Sequence, residues 1–218
     1  MNEKTKKITI IGMLCAVSYL VMMVGRVPLV PAVSFLKYDP KDVIIVIGGF
    51  IFGPMVSFLI SLIVSVVEML SVSETGIIGL IMNVIATCSF ACIAAFVYKK
   101  KHTMSGAILG LGLGIICMTA VMLLWNYFIT PIYMGYPREA VVELLLPAFL
   151  PFNLIKGGIN LGITLLVYKP IVTALRKAHL IHESENTDKK STYIGTIVVS
   201  SFILVSCILF VLVMKGTI

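Results

Sequence analysis

The sequence predicts an all-α protein: a polytopic transmembrane helical bundle with a six-helix core and a C-terminal seventh transmembrane helix. Three observations predict it. Apolar residues are 59% of the 218 and charged residues only 12%, where soluble domains carry about a quarter charged. Mean hydropathy is +1.08, and the apolar residues fall in repeated runs long enough to cross a hydrocarbon layer. Basic residues gather in short clusters between these runs, the pattern of the positive-inside rule.

The composition also excludes several classes. A formal net charge of +7 suggests nucleic acid, but no stacking aromatics are interleaved with the basic clusters. Cys15, Cys88, Cys92, Cys117 and Cys207 all lie within apolar runs. They read as small packing residues, so neither a disulfide framework nor a zinc or other metal site is expected. The basic start and first apolar run resemble a signal peptide. The run is long enough to span, however, and its cleavage signal is weak, so it reads as a retained helix.

Residues 8–24 form the first expected span, in which Gly12 and Ala16 make a small-xxx-small pair that permits close helix approach. Internal packing explains that pair equally well. Pro28, Pro31 and Pro40 rule out helix across residues 25–40. This loop ends FLKYDPKD, so it reads as a lid or wall, or else as an interfacial anchor. Residues 43–52 are apolar but too short to cross unaided. Gly53-Pro54 marks a sharp turn into a third helix over residues 55–70, whose Glu68 is expected at the membrane surface.

The fourth span covers residues 77–97, contains Asn83 and closes with Lys99, Lys100 and Lys101. The fifth, residues 104–129, begins with Gly106, Gly110, Gly112 and Gly114 as a close-packing ladder and ends with Trp125, Asn126 and Tyr127. Residues 131–143 read as a second long loop, with Tyr133, Tyr136 and Arg138. The sixth span, residues 146–170, carries the strongest signal. Asn153 and Lys156, three apart, share a helix face, and a lysine inside a span costs on the order of 3 kcal/mol unless paired, snorkelling or facing water. Pro147 and Pro151 loosen the entrance to this helix, and Gly157, Gly158 and Gly162 follow. Residues 169–190 are charged. His179 and His182 there read as linker residues, since no third metal ligand is evident. Residues 193–214 form the seventh span.

With the N-terminus in the cytoplasm, the lysine clusters fall inside and the two long loops outside. Asn126, Asn153 and Lys156 then lie in the outer halves of their helices, beneath aromatic-bearing loops. Two amides and an ammonium suit a flat heterocycle with carbonyls and imide nitrogens, and Trp125, Tyr127, Phe149, Phe152 and Tyr38 supply candidate walls. A snorkelling Lys156 and an Asn153 that joins two helices remain the alternative at this point. No nucleophile–base pair or paired carboxylates appear, so no enzyme is expected. No phosphate loop of the GxxxxGK[ST] kind appears either, so active transport requires a partner's energy.

FLKYDPKDV, FGP, WNYFITPIYMG and LLPAFLPFNLIKGGIN, in this order and spacing, resemble the riboflavin-specific substrate-binding (S) components of energy-coupling factor (ECF) transporters. The likeness covers roughly the first 175 residues, the length that six spans need. It implies a six-helix S-component core that binds riboflavin on its outer side with high affinity, and riboflavin is the transported ligand rather than a cofactor. By resemblance, Asn126, Asn153 and Lys156 contact the flavin ring, and Leu36, Lys37, Tyr38 and Asp39 belong to the loop that closes over it. Gly12 and Ala16 match the patch that docks on a transmembrane coupling subunit. The implied partners are that subunit, two ATP-binding-cassette ATPase subunits and the lipid bilayer, with no nucleic acid. The implied location is the bacterial cell membrane.

Two departures stand out. Val64 and Ser65 occupy positions where relatives carry a Lys-Asn pair. The seventh span also has no counterpart in a six-helix protein. The chain therefore divides into a riboflavin-binding membrane domain (residues 1–175), a charged cytoplasmic linker (176–190) and an extra transmembrane helix (191–218). The alternative functions are an S component for another flat vitamin or a flavin such as FMN, and a membrane enzyme using Lys156.

Overall fold

The structure, a computed structural model, describes residues 2–29, 36–73, 75–135, 137–180 and 190–214. The helices are α1 (Glu3–Gly25), α2 (Lys41–Phe52), α3 (Pro54–Ser71), α4 (Gly76–Lys100), α5 (Met104–Phe128), α6 (Thr130–Met134), α7 (Arg138–Leu144), α8 (Leu150–Lys177) and α9 (Lys190–Met214). A π-helical turn, Leu145–Phe149, leads into α8. Two short strands, β1 (Val27–Pro28) and β2 (Lys37–Tyr38), pair antiparallel between α1 and α2. Phe35, Pro31, Tyr136 and His182, singled out in the sequence, lie outside the described residues.

The centre of the bundle is α2. It packs on α1, α3, α4 and α8, and every residue from Lys41 to Phe50 is buried. At 1.5 Å per residue, its 12 residues span about 18 Å, well short of a ~30 Å hydrocarbon layer. The extended segment with Leu36, Tyr38 and Asp39 leads into it, and those three side chains are buried as well. The turn into α3 is as tight as Gly53-Pro54 predicts. Gly53 adopts φ +96°, a conformation open to glycine, and Pro54 opens α3. Hairpin closure leaves no room at Gly49, where a Cβ would meet Ser57 Oγ at 2.0 Å.

Among the described residues six helical stretches, α1, α3, α4, α5, the α7–α8 stretch (Arg138–Lys177) and α9, are long and apolar enough to cross a membrane. Two glycines of the expected ladder seat α5 on α4: a Cβ at Gly110 or Gly114 would meet Ala94 O at 2.7 Å or Phe90 O at 2.6 Å. Gly112 faces open space and Gly106 packs on its own entry loop, so neither serves that contact. Gly158 and Gly162 do the same for α9, whose Cys207 and Leu204 lie where Cβ atoms would stand.

The second long loop is largely helical instead. Pro131 lies in the first turn of α6 and Pro137 caps α7; proline fits a helix start, where its missing N–H is not needed. Gly135, at φ +66°, ends α6. The sixth helix also runs through Pro170 to Lys177, so that proline does not end it. Pro147 lies inside the π turn, where the missing N–H is absorbed by an irregular ladder. The five cysteines are free thiols. Among the described residues no group of three or more metal-ligating side chains occurs.

Candidate functional site

The antiparallel order brings one set of helix ends together: the C-terminal ends of α1, α3 and α5 and the N-terminal ends of α2, α4 and α8. A buried polar cluster sits there. Its first centre is Asp42, in the opening turn of α2. Lys156 Nζ lies 3.2 Å from Asp42 Oδ2, Asn160 Nδ2 donates to the same oxygen at 3.3 Å, and Thr87 Oγ1 donates to Oδ1 at 2.7 Å. Tyr38 from β2 donates its hydroxyl to Asn160 Oδ1 at 3.0 Å. The loop, α2, α4 and α8 are thus tied at one carboxylate.

Glu68 of α3 forms the second centre. It pairs with both Arg26 and Lys41 and accepts from Asn83 Nδ2 at 3.1 Å. The expected surface position of Glu68 is overturned: the residue is 1% exposed. The physical reason is that Arg26 and Lys41, on either side of the first loop, fold inward and neutralise it. Lys41 joins Glu68 to the loop, its Nζ also lying 3.8 Å from Asp39 Oδ2. Burial opposes ionisation of Asp39, but the charges of Lys41, Lys156 and Arg26 outweigh it and hold the carboxyl below the usual carboxylate range. Burial first, then Asp42 and Asp39, push the Tyr38 phenol up. Asp39 Oδ1 and Arg26 Nε are buried without a hydrogen-bond partner among the described residues.

The residues predicted to contact a ligand are all at this end, while Gly12 and Ala16 lie further along α1, away from it. Asn126, Asn153 and Lys156 are 2%, 3% and 7% exposed. The two amides are held on their own helices, Asn126 Nδ2 donating to Met122 O at 2.7 Å and Asn153 Nδ2 to Phe149 O at 2.8 Å. Thr130 Oγ1 donates to Asn126 Oδ1 at 2.9 Å. Leu36, Tyr38, Phe149 and Phe152 join one apolar cluster beside Ile155, while Lys37 is half-buried in β2. Trp125 packs on the main core instead, and Arg138 lies over the Tyr127 ring at 5.4 Å. Val64 and Ser65 are buried, and the polar contribution of α3 comes from Glu68, one turn further on.

Sequence reasoning missed Asp42, Arg26, Lys41, Glu68, Thr87 and Asn160. A signal for Asn160 existed: it is four residues beyond Lys156, on the same helix face. Lys156 is not a snorkelling side chain, since its ammonium is closed in against Asp42.

Residues 6–168 match the family described as ECF transporter, substrate-specific component. The chain belongs to the substrate-specific components of ECF transporters. The family match stops before α9 begins. The chain is 31% identical over 182 residues to "Riboflavin transporter RibU" of Streptococcus thermophilus, covering 79% of this chain and 86% of that protein. It is 29% identical over 189 residues to "Riboflavin transporter FmnP" of Bacillus subtilis, covering 81% and 99%. A solved S component of a bacterial ECF transporter superposes with a TM-score of 0.67 at 28% identity, over 79% of this chain and 98% of that one. This S component is accordingly a multi-pass membrane protein, and it works with an ECF module. Its relatives are named as transporters, not enzymes.

Proposed function

We propose that this S component captures riboflavin at the end of the bundle that holds the Asp42 and Glu68 centres, and releases it inward once joined to its ECF module. One observation carries the reading. Asn126, Asn153 and Lys156 lie buried at one bundle end, where Phe149, Phe152 and Tyr38 share an apolar cluster, in a chain whose relatives are named riboflavin transporters. A flavin ring needs apolar faces and an edge of donors and acceptors. Lys156 and the two amides supply that edge by exchanging their present intramolecular partners for the ring.

Leu36, Lys37, Tyr38 and Asp39 form the lid. The lid is anchored through Tyr38 to Asn160 and through Asp39 to Lys41, so opening it breaks polar contacts that closure restores. The module comprises a transmembrane coupling subunit and two ATPase subunits. Its docking patch is Gly12 and Ala16, both exposed on α1, with nothing within 4 Å of a Cβ at Gly12. The N-terminus lies in the cytoplasm of a bacterial cell, because Lys99–Lys101, Lys169, Arg176 and Lys177 share its end of the bundle. Residues 1–175 form the riboflavin-binding unit, residues 176–190 a linker and residues 191–218 an added membrane helix.

Absorption and fluorescence spectra of the detergent-purified chain test the reading. A flavin spectrum, with quenching on riboflavin titration, is expected. Titration without saturable binding would refute it.

A further inference from the structure

The opposite end of the bundle holds a cavity of about 860 Å³ that the riboflavin site does not use. There α1 packs on α2 and α3, while α8 packs on α2 and α5. The first turns of α1 and the last turns of α8 line the space between. The lining is basic: Lys4, Lys6 and Lys7 from α1, Lys169 and Arg176 from α8, and His102 just after α4. Among the described residues Glu3 is the single carboxylate in it. Arg176 Nε is buried without a hydrogen-bond partner among the described residues.

Beneath the cations the cavity is apolar and aromatic. Phe50 stacks on Tyr98 at 4.4 Å between ring centroids and meets Tyr168 edge-on at 5.5 Å, and the two tyrosine hydroxyls share a hydrogen bond of 2.8 Å. These rings form the cavity floor. Among the described residues the cavity gathers five permanent cations around one carboxylate, and a bound anion lowers their mutual repulsion. The position matters as much as the charge. The cavity is made of helix ends, at the level where a bilayer's headgroups lie, and basic pockets between transmembrane helices are suited to phosphate headgroups. An arginine with an open nitrogen suits a phosphate oxygen.

We propose that this cavity binds the phosphate headgroup of an anionic phospholipid, with Arg176 and Lys6 holding the phosphate and the apolar floor taking the glycerol region. A soluble phosphate ester carries the same group, so the test separates the two sources. The full chain is reconstituted in nanodiscs containing dioleoylphosphatidylglycerol or dioleoylphosphatidylcholine, and lipid retention after detergent extraction is read by native mass spectrometry.

The expected result is at least about tenfold preferential retention of phosphatidylglycerol, undisturbed by millimolar glycerol 3-phosphate. Arg176→Gln and Lys6→Gln should each lower retention by about fivefold, the effect of one cation near a headgroup. Lys100→Gln, whose side chain instead lies over Phe96 at 4.5 Å, should leave it unchanged. Lys6 lies in the first turns of α1, so its variant keeps the test valid if Arg176→Gln misfolds. Equal retention of the two lipids, retention unaffected in both cavity variants, or displacement by glycerol 3-phosphate would each overturn the proposal.

Discussion

Lys156 Nζ lies 3.2 Å from Asp42 Oδ2, an ion pair closed inside the bundle between α8 and the first turn of α2. A buried pair of this kind is weak evidence for net stability, but removing one partner leaves an uncompensated charge. It also means that a ligand reaching Lys156 competes with Asp42.

Lys156→Ala is therefore expected to act twice. Stranding Asp42 should cost about 3–5 kcal/mol of stability, and losing a charge-assisted bond to the ring should weaken riboflavin binding by at least about tenfold. The double variant Lys156→Met, Asp42→Leu separates the effects. It should recover part of the stability, since Thr87 and Asn160 lose their acceptor, and none of the affinity. Thermal unfolding in detergent beside riboflavin titration measures both, and a double variant with wild-type affinity would remove Lys156 from the pocket.

Asn126→Ala and Asn153→Ala should behave differently from Lys156→Ala. Each amide nitrogen bonds a carbonyl four residues back, so truncation should cost little stability at Asn153 and about 1 kcal/mol at Asn126, whose Oδ1 also accepts from the buried Thr130 hydroxyl. Each loss should nevertheless reduce riboflavin affinity by about tenfold to a hundredfold, because a desolvated ring group loses its partner. Unchanged titration curves for both would return these residues to a packing role.

Much of this arrangement was legible in the sequence, and the limits were physical. The Gly53-Pro54 turn and the shared face of Asn153 and Lys156 are local, set by backbone chemistry and a 3.6-residue period. Asp42 and Glu68 were not legible because their partners come from distant helices. Glu68, near the end of an apolar run, looked like a surface residue until the first loop placed Arg26 and Lys41 over it. The prolines of residues 131–143 signalled a break in the preceding helix, and they also start new helices. Asn160 was readable by spacing from Lys156, but its role depends on Tyr38 and Asp42.

Gly12→Leu or Ala16→Leu should leave riboflavin binding unchanged, since both positions are exposed and away from the polar cluster. Bulk there should block close approach by another membrane helix. In pull-downs with the coupling module, recovery of the complex should drop several-fold. Equal recovery would place the docking surface elsewhere.

The added helix gives the last expectation. Only 6% of the α9 span is fully buried; it packs on the glycine face of α8 at Gly158 and Gly162 and, through Cys207, Val211 and Met214, against the apolar cluster of Phe149, Phe152 and Ile155. Asn153 and Lys156 share α8 with those glycines, but their hydrogen-bonding and ionic partners come from the π turn that leads into α8 and from α2. Truncation after Lys177 should therefore keep riboflavin affinity within about threefold, a shift below 1 kcal/mol. Stability should fall modestly, because the lost contacts exchange helix packing for lipid packing of similar apolar character. Affinity and thermal midpoint of the truncated protein, measured in the same detergent as the full chain, decide the matter. A truncated chain that inserts and stays folded yet no longer binds would show that α9 holds α8 in the register the riboflavin site requires.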